Sequence, residues 1–376
     1  MERRRSDELP RYTTRAESLS FRWRRRFWLY IGVFLLICWI LYPRHDGSKT
    51  TNVKRSKHAY SLYATDNAML CHAVLVFDAL AKFGSKADRV LFYPESWDLQ
   101  ITDSKDRDSQ LLVMARDQYK VKLHPIKPLK AGGRQGNKWT KTWDDTVTKF
   151  MAFSLANYDR VIALESDITL LSSLDELFAL PPTPIAMPRA YWYKSLPLPF
   201  TPLVMVIEPN VDEFERFKNI IDEGAETVLI KAHKFDMVLV NDRFEHSATV
   251  LPHQQYALLT REFSEHNHTA YFGNTFEAWD AEKALKEAKL VHFSDWPLPK
   301  PWIMWPTDGL VEMQPDCGGK HKDTCAERKI WKHLYNDFRQ RRKDICRLLS
   351  VLPPDWHNLK SELHTNATEG STYAGF

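Results

Sequence analysis

The stretch "RVIALESDITLLSSLDELF", Arg160 to Phe178, decides how the chain is read. Val161 to Leu164 is a short apolar, β-prone run that meets Glu165-Ser166-Asp167, and Ile168 to Leu171 opens a second apolar run. Two acids that merely stop a strand and face water need no further explanation. The alternative is a parallel strand that delivers both carboxylates, at period-two spacing, to the carboxyl edge of an open α/β sheet, where ligands bind. Carboxylate oxygens placed there suit a hard divalent ion such as Mg²⁺ or Mn²⁺.

The flanking sequence favours such a sheet. "AYSLYATDNAMLCHAVLVFDALAKFG", from Ala59, reads as a strand, a polar turn at Thr65-Asp66-Asn67 and a helix closed by Gly84. Arg89 to Pro94 and Tyr119 to Ile126 read as further strands, and a helix from about Asp144 to Asn157 leads into the strand ahead of Glu165. Strands alternating with helices predict a parallel, Rossmann-like sheet, with the first turn and the acidic strand end on one edge. Further on, strands are expected near Ile185–Met187 and Leu203–Glu208, and a helix capped by Asn210 from Val211 to about Asp222. "FDMVLVND" and "KLVHF" fit strand or helix, and Cys325 to Leu349 reads as a packed terminal helix with Ile330, Leu334, Phe338, Ile345 and Leu348 on one face.

The N-terminal end is of a different kind. Phe27 to Tyr42 carries no charge over sixteen residues, about 24 Å as a helix, and predicts an uncleaved transmembrane signal anchor. The 26 residues before it hold nine Arg against four acids, a net +5, so that with +4 for the whole chain the remainder sums to −1. A basic tail beside an apolar span is left in the cytosol, with the body lumenal, and no basic excess remains to support nucleic-acid binding. The expected layout is a cytosolic tail 1–26, a span 27–42, a stem 43–57, a globular domain 58–352 and a mobile tail 353–376. Asn267-His-Thr and Asn366-Ala-Thr are glycan-acceptor tripeptides, and "CGGKHKDTC" closes a small disulfide loop or, in a competing reading with His321, holds zinc.

Several stretches together resemble the glycogenin-type (family 8) glycosyltransferases. "YDRVIALESDITLLSSLDELF" is similar to that family's strand and D-x-D metal motif, "SLYATDNAML" to its nucleotide-binding turn, "TKFMAFSL" to the helix with a donor-facing lysine, and "VHFSDWPLPKPW" to its closing H-x-x-G-x-x-K-P-W segment. "FDMVLVNDRF", "LPHQQYALLTREF" and "YFGNTFEAWD" bring the likeness nearer to fungal Golgi N-acetylglucosaminyltransferases of type II topology. The resemblance implies a GT-A (Rossmann-like) fold and a retaining transfer of GlcNAc from UDP-GlcNAc to a mannose-containing or similar glycan in the Golgi lumen. The alternatives are a UDP-glucose or UDP-galactose donor, or an inactive glycan-binding relative. It implies a Mn²⁺ or Mg²⁺ ion held by Glu165, Asp167 and His292, and nucleotide-sugar contacts from Thr65, Asn67, Lys149, Ser166 and Lys300. Asp167, Asp236 and Lys300 are the expected catalytic residues, with Asp236 the carboxylate that a double displacement would need beneath the sugar.

This sequence departs from the pattern at three places. Glu165 replaces the first Asp of D-x-D, which predicts ligation that is indirect or through water; Ser294 or Asp295 stands near the family's glycine; and Met237 stands where a Gln is expected. Trp296, Trp302 and Trp305, close to His292, are candidates for stacking on a sugar face.

Overall fold

Four strands, β1 (His58–Tyr63), β2 (Asp88–Pro94), β3 (Val121–Ile126) and β4 (Arg160–Leu164), lie parallel in the order β3-β2-β1-β4 in the computed structural model of the chain. The structure describes residues 57–131, 145–194, 196–224, 236–295, 300–318 and 325–348. The tail 1–26, the apolar run 27–42, the stem apart from Lys57, and the tail 353–376 lie outside the described residues, as do Asn366, Trp296 and His321. Among the described residues no helix is long and apolar enough to cross a membrane.

The first helix, α1 (Asn67–Lys82), starts at the carboxyl end of β1 because the Asp66 carboxylate accepts from the Met69 N–H at 2.7 Å, a side-chain cap. It ends where Gly84 takes φ +75°, a conformation that favours glycine. A second helix, α2 (Arg107–Asp117), links β2 to β3. The helix expected over about 144–157 is a shorter 3₁₀ segment, Thr146–Ser154.

Beyond β4 the sheet is no longer parallel. Following β5 (Ile168–Leu170), which belongs elsewhere, β6 (Ile185–Pro188) and β7 (Val204–Ile207) pair antiparallel, β7 runs antiparallel to β4, and β8 (Thr249–Leu251) is parallel to β6. The full order is β3-β2-β1-β4-β7-β6-β8, so the parallel sheet expected from the sequence is half of a mixed one. Only a loop joins β6 to β7, and without a crossover helix two neighbouring strands return antiparallel. Helices α3 (Val211–Gly224) and α4 (Asp236–Phe244) follow; the first is capped by Asn210 as expected, its Oδ1 accepting from Asp212 N at 2.8 Å.

A second, three-stranded sheet sits at the carboxyl edge of the first. In it β10 (Leu290–His292) pairs antiparallel with β5 and parallel with β9 (Leu258–Leu259). Side chains alternate between two cores, as a strand period of two requires. Tyr60, Leu62, Ile162 and Leu164 pack with α1, β5, β10 and the terminal helix α5 (Ala326–Arg341), whereas Ala59, Tyr63, Val161 and Ala163 pack with the 3₁₀ segment, Phe217 of α3, and α4. The packed terminal helix is therefore present, with Leu334 and Phe338 buried as expected and Trp331 and Tyr335 beside them. A Cys71–Cys346 disulfide and a hydrogen bond from Arg341 Nη2 to the Leu75 carbonyl, 2.6 Å, hold its end to α1. Cys317 and Cys325 form the small disulfide loop, which leaves their sulfurs unavailable as thiolate ligands for zinc.

Candidate active site

Strand parity explains where the two acids go. β1 and β4 are in register with Ser61 opposite Ala163, so two residues on, Tyr63 and Glu165 share a face, and the Tyr63 hydroxyl donates to Glu165 Oε2 at 3.2 Å. That face looks toward the 3₁₀ segment and α4. Lys149, 3% exposed, donates from its ammonium to both Glu165 Oε1 and Asp236 Oδ2. Burial alone would lower the lysine's pKa, but the charges of Asp236 and Glu165 outweigh it and hold the ammonium protonated. Glu165, Lys149 and Asp236 thus form a hydrogen-bonded group built around a buried lysine.

Asp167 is carried the other way, because the chain crosses from the large sheet to the small one between β4 and β5. The Glu165 N–H still bonds to the Leu203 carbonyl beside the large sheet, while the Asp167 carbonyl accepts from Phe293 N at 3.0 Å beside the small one. Its carboxylate faces His292 Nε2 at 3.2 Å and Lys300 Nζ at 3.4 Å, and remains 26% exposed. Burial would raise this carboxyl; His292 and Lys300 hold it instead well below the usual carboxylate range. Lys300 also donates to the Phe293 carbonyl and lies over the Trp302 ring, 5.4 Å from its centroid.

The three candidate metal ligands are therefore divided. Asp167 and His292 stand together; Glu165 is engaged by Lys149 and Tyr63, and among the described residues no group of three such ligands forms. A lone pair on Nε2 and a carboxylate oxygen 3.2 Å apart need a proton or a metal cation between them. That separation fits a small octahedral cation, whose adjacent ligands at about 2.1 Å lie about 3 Å apart, so the pair can hold a divalent ion whose other positions are filled by substrate or water.

Other predicted residues take varied places. Thr65 and Asp66 sit at the mouth of the α1 turn with Asn67 exposed, and Ser166 is buried between the two acids. Asn241, in the segment aligned with the family pattern, is a scaffold residue: its amide donates to Phe200 O and its Oδ1 accepts from Phe200 N, both at 2.7 Å. Two of the tryptophans do not offer free faces. Trp305 is buried, and Trp302 packs against His72 and Phe338, with ring centroids 4.5 and 6.0 Å away.

Asp295, near the place of the family's glycine, has a positioning task. Buried, it accepts from Thr260 Oγ1, Tyr335 OH and Trp331 Nε1, and so ties the segment after His292 to α5. Tyr63 could have been found from strand parity alone. His72 and Arg342 had no such signal: both are buried, neither His72 Nε2 nor Arg342 Nε has a hydrogen-bond partner among the described residues, and burial together with the Arg342 charge pushes His72 down to about 3.

The chain is 46% identical over 341 residues to "Glucose N-acetyltransferase 1" of Aspergillus fumigatus, a match covering 86% of this chain and 87% of that protein. It belongs to the glucose N-acetyltransferase 1 family. The protein of the same name from Gibberella zeae is 42% identical over 305 residues, 80% of this chain and 65% of that protein, and the one from Saccharomyces cerevisiae is 24% identical over 418 residues, 78% and 82%. No family model matches the chain. Among solved structures, the glycosyltransferase GlyE of Streptococcus pneumoniae gives a TM-score of 0.47 at 15% identity, over 83% of this chain and 64% of that one. The galactosyltransferase LgtC gives 0.43 at 11%, over 80% and 99%.

Proposed function

We propose that the chain is a retaining glycosyltransferase of the glycogenin type that moves N-acetylglucosamine from UDP-GlcNAc to a mannose-containing or similar glycan. The observation that carries this reading is the convergence of the Asp167 carboxylate, the His292 imidazole and the Lys300 ammonium where the two sheets meet. The name of the relatives, "Glucose N-acetyltransferase 1", joins the two parts of N-acetylglucosamine. Taken literally it describes acetyl transfer, but acetyl transfer releases no diphosphate, and a carboxylate–imidazole pair beside an ammonium is what a departing diphosphate requires.

In this reading the C1–O bond to the β-phosphate breaks, the acceptor oxygen bonds to C1, and the acceptor's proton leaves with the phosphate. Asp167 and His292 would hold a Mn²⁺ or Mg²⁺ ion, which when bound neutralises negative charge growing on the diphosphate. Lys300 adds a fixed positive charge next to Asp167. The Asp66-capped turn and Ser166 border the nucleotide side. Asp236 is already engaged by Lys149, which suits it to positioning by charge more than to attack on the sugar. The engagement of Glu165 by Lys149 favours a second reading, an inactive glycan-binding relative with too few ligands for its metal.

The +5 tail and the apolar run 27–42 support a type II Golgi anchor with the body lumenal. Protease treatment of sealed microsomes tests this: the body should be protected and the tail digested. For the activity, the detergent-solubilised full chain is incubated with UDP-GlcNAc, UDP-glucose and UDP-galactose in turn, with Mn²⁺ or EDTA, and a panel of mannosides. Transfer from UDP-GlcNAc that EDTA abolishes supports the proposal; binding of glycans without cleavage of any UDP-sugar supports the inactive reading.

A further inference from the structure

The terminal helix α5 and the short turn that continues it, Arg342–Cys346, fix the backbone of the segment that carries Lys300. Arg339 Nε donates to the Pro301 carbonyl at 3.0 Å and Arg342 Nη1 to the Trp302 carbonyl at 3.3 Å, so each of the two residues that follow Lys300 is tied to an arginine. In the same stretch of α5, Phe338 packs edge-on against Phe293, with ring centroids 4.8 Å apart, and the Phe293 carbonyl is the one to which Lys300 donates. The turn in its place is held to α1 by the Cys71–Cys346 disulfide. A lysine on a backbone fixed in this way has less freedom to lose when it meets its partner.

Arg342 is the costlier of the two arginines. It is 4% exposed, and among the described residues no carboxylate pairs with it; the Trp302 carbonyl is its hydrogen-bond partner, and its Nε has none. Burial lowers its pKa to about 10, so the guanidinium stays charged at neutral pH. The same tryptophan packs against a second buried polar group, His72, whose ring centroid lies 4.5 Å away and whose Nε2 is unpartnered among the described residues. Packing alone would be served better by apolar residues at such positions, because a buried charge without a counter-charge costs stability. A cost of this kind points to a task. What Arg342 holds is the backbone two residues beyond Lys300, whose ammonium stands 3.4 Å from Asp167 and 5.4 Å from the centre of the Trp302 ring.

We infer that Arg342 is a positioning residue of the transferase site: through the Trp302 carbonyl it sets the Lys300 segment so that the ammonium meets Asp167 and, when a donor is bound, the donor's diphosphate. Arg339 supports the same segment at Pro301. Both act through backbone and need no contact with the substrate. This deepens the transferase reading and rests on it. It makes the terminal helix, whose arginines stand 38 and 40 positions beyond the carbonyls they bind, a working part of the donor site. Were the two bonds only a means of packing α5, their loss would lower stability and leave donor affinity as it is.

The test uses the detergent-solubilised full chain with Mn²⁺ and UDP as the probe, affinity being read by titration calorimetry and folding by thermal melting. Arg342→Met exchanges the buried cation for an apolar side chain of similar bulk, which buried sites tolerate, and should weaken UDP binding about tenfold. Arg342→Lys can still donate to the Trp302 carbonyl and should recover most of that loss. Lys300→Ala should weaken UDP about tenfold or more, and adding Arg342→Met to it should cost no more than about twofold further, because residues that act as one unit are not additive. Folded Arg342→Met that binds UDP as the wild type does overturns the assignment. So do losses that multiply in the double variant, which would make Arg342 act independently of Lys300. If Arg342→Met does not fold, Arg339→Ala takes its place: it should weaken UDP about threefold in the wild-type background and leave it unchanged beside Lys300→Ala, and an equal loss in both backgrounds overturns the assignment. Wild-type protein that binds no UDP overturns the underlying donor reading, and this inference falls with it.

Discussion

Glu165 lies on the Lys149 side of the crossing and Asp167 on the His292 side, with one residue between them, yet the first is engaged by a buried lysine and the second faces a more open histidine. On the first side a lysine with 3% of its side chain exposed is matched by two carboxylates that are 17% and 13% exposed, and the Tyr63 hydroxyl donates to Glu165. On the second, a carboxylate with 26% exposure faces two groups that are 23% and 14% exposed. The first side is bound together by charge and hydrogen bonds, which makes it a means of holding β4, the 3₁₀ segment and α4 together. The open side keeps access for a ligand and a concentration of charge to act on it. The difference teaches that an acid pair at a strand end is divided by geometry: parity sends the first acid to the face its strand already occupies, and the sheet crossing frees the second.

The largest effect is expected on the first side. Lys149→Ala leaves Glu165 and Asp236 buried near each other without their shared cation, and removing one partner from a buried charge group costs about 3–5 kcal/mol. Chemical denaturation should show a lower midpoint at unchanged slope. A variant as stable as the wild type would mean that water reaches the group.

Asp167→Asn comes next and should act on activity. It keeps the shape of the side chain and removes a charged oxygen facing His292 and Lys300, so transfer should fall by about two orders of magnitude, on the scale of losing one strong electrostatic contact to the leaving group. Its melting temperature should fall, though by less than that of Lys149→Ala, because the variant loses the pairing with His292 and Lys300 that holds the carboxyl low in the fold while the site stays partly solvated. Wild-type transfer under limiting Mn²⁺ would reduce Asp167 to a strand terminator and erase the contrast. His292→Ala should increase the Mn²⁺ needed for half-maximal rate by about tenfold or more before it abolishes turnover, measured by metal titration of initial rates.

Much of this comparison was legible before any coordinates. The apolar runs of β1, β2 and β4, the turn at Thr65–Asn67 and the helix closed by Gly84 carry their own local signals, and all of them stand in the structure. The antiparallel half of the sheet is not legible, because β6, β7 and β8 are only three or four residues long and carry no periodicity that sets direction. Nor is the role of Lys149. A resemblance places a lysine near a donor, but its partners are 16 and 87 residues away in the chain, and only packing selects them. Asp295 shows the same limit: its partners Thr260 and Tyr335 lie 35 and 40 residues away, and what reads as an interrupted motif proves to be the tie to α5.

The smallest expected effect separates the two sides most cleanly. Glu165→Asp restores the acid type of the family's D-x-D while withdrawing the carboxylate by one methylene, over an ångström in an extended side chain. If Glu165 serves the Lys149 group, the shorter acid loses part of its contact with Lys149 or Tyr63, and stability should drop by about 1 kcal/mol, the net worth of one hydrogen bond. Lys149 keeps Asp236, so the loss stays well below that of Lys149→Ala. The Mn²⁺ concentration for half-maximal transfer should not move, because both oxygens of Glu165 are taken by Lys149 and Tyr63. A metal ligand would respond in the opposite way, with an aspartate binding more directly and the Mn²⁺ requirement falling. Parallel denaturation curves and Mn²⁺ titrations of this one variant therefore decide whether the first acid of the pair belongs to the scaffold or to the site.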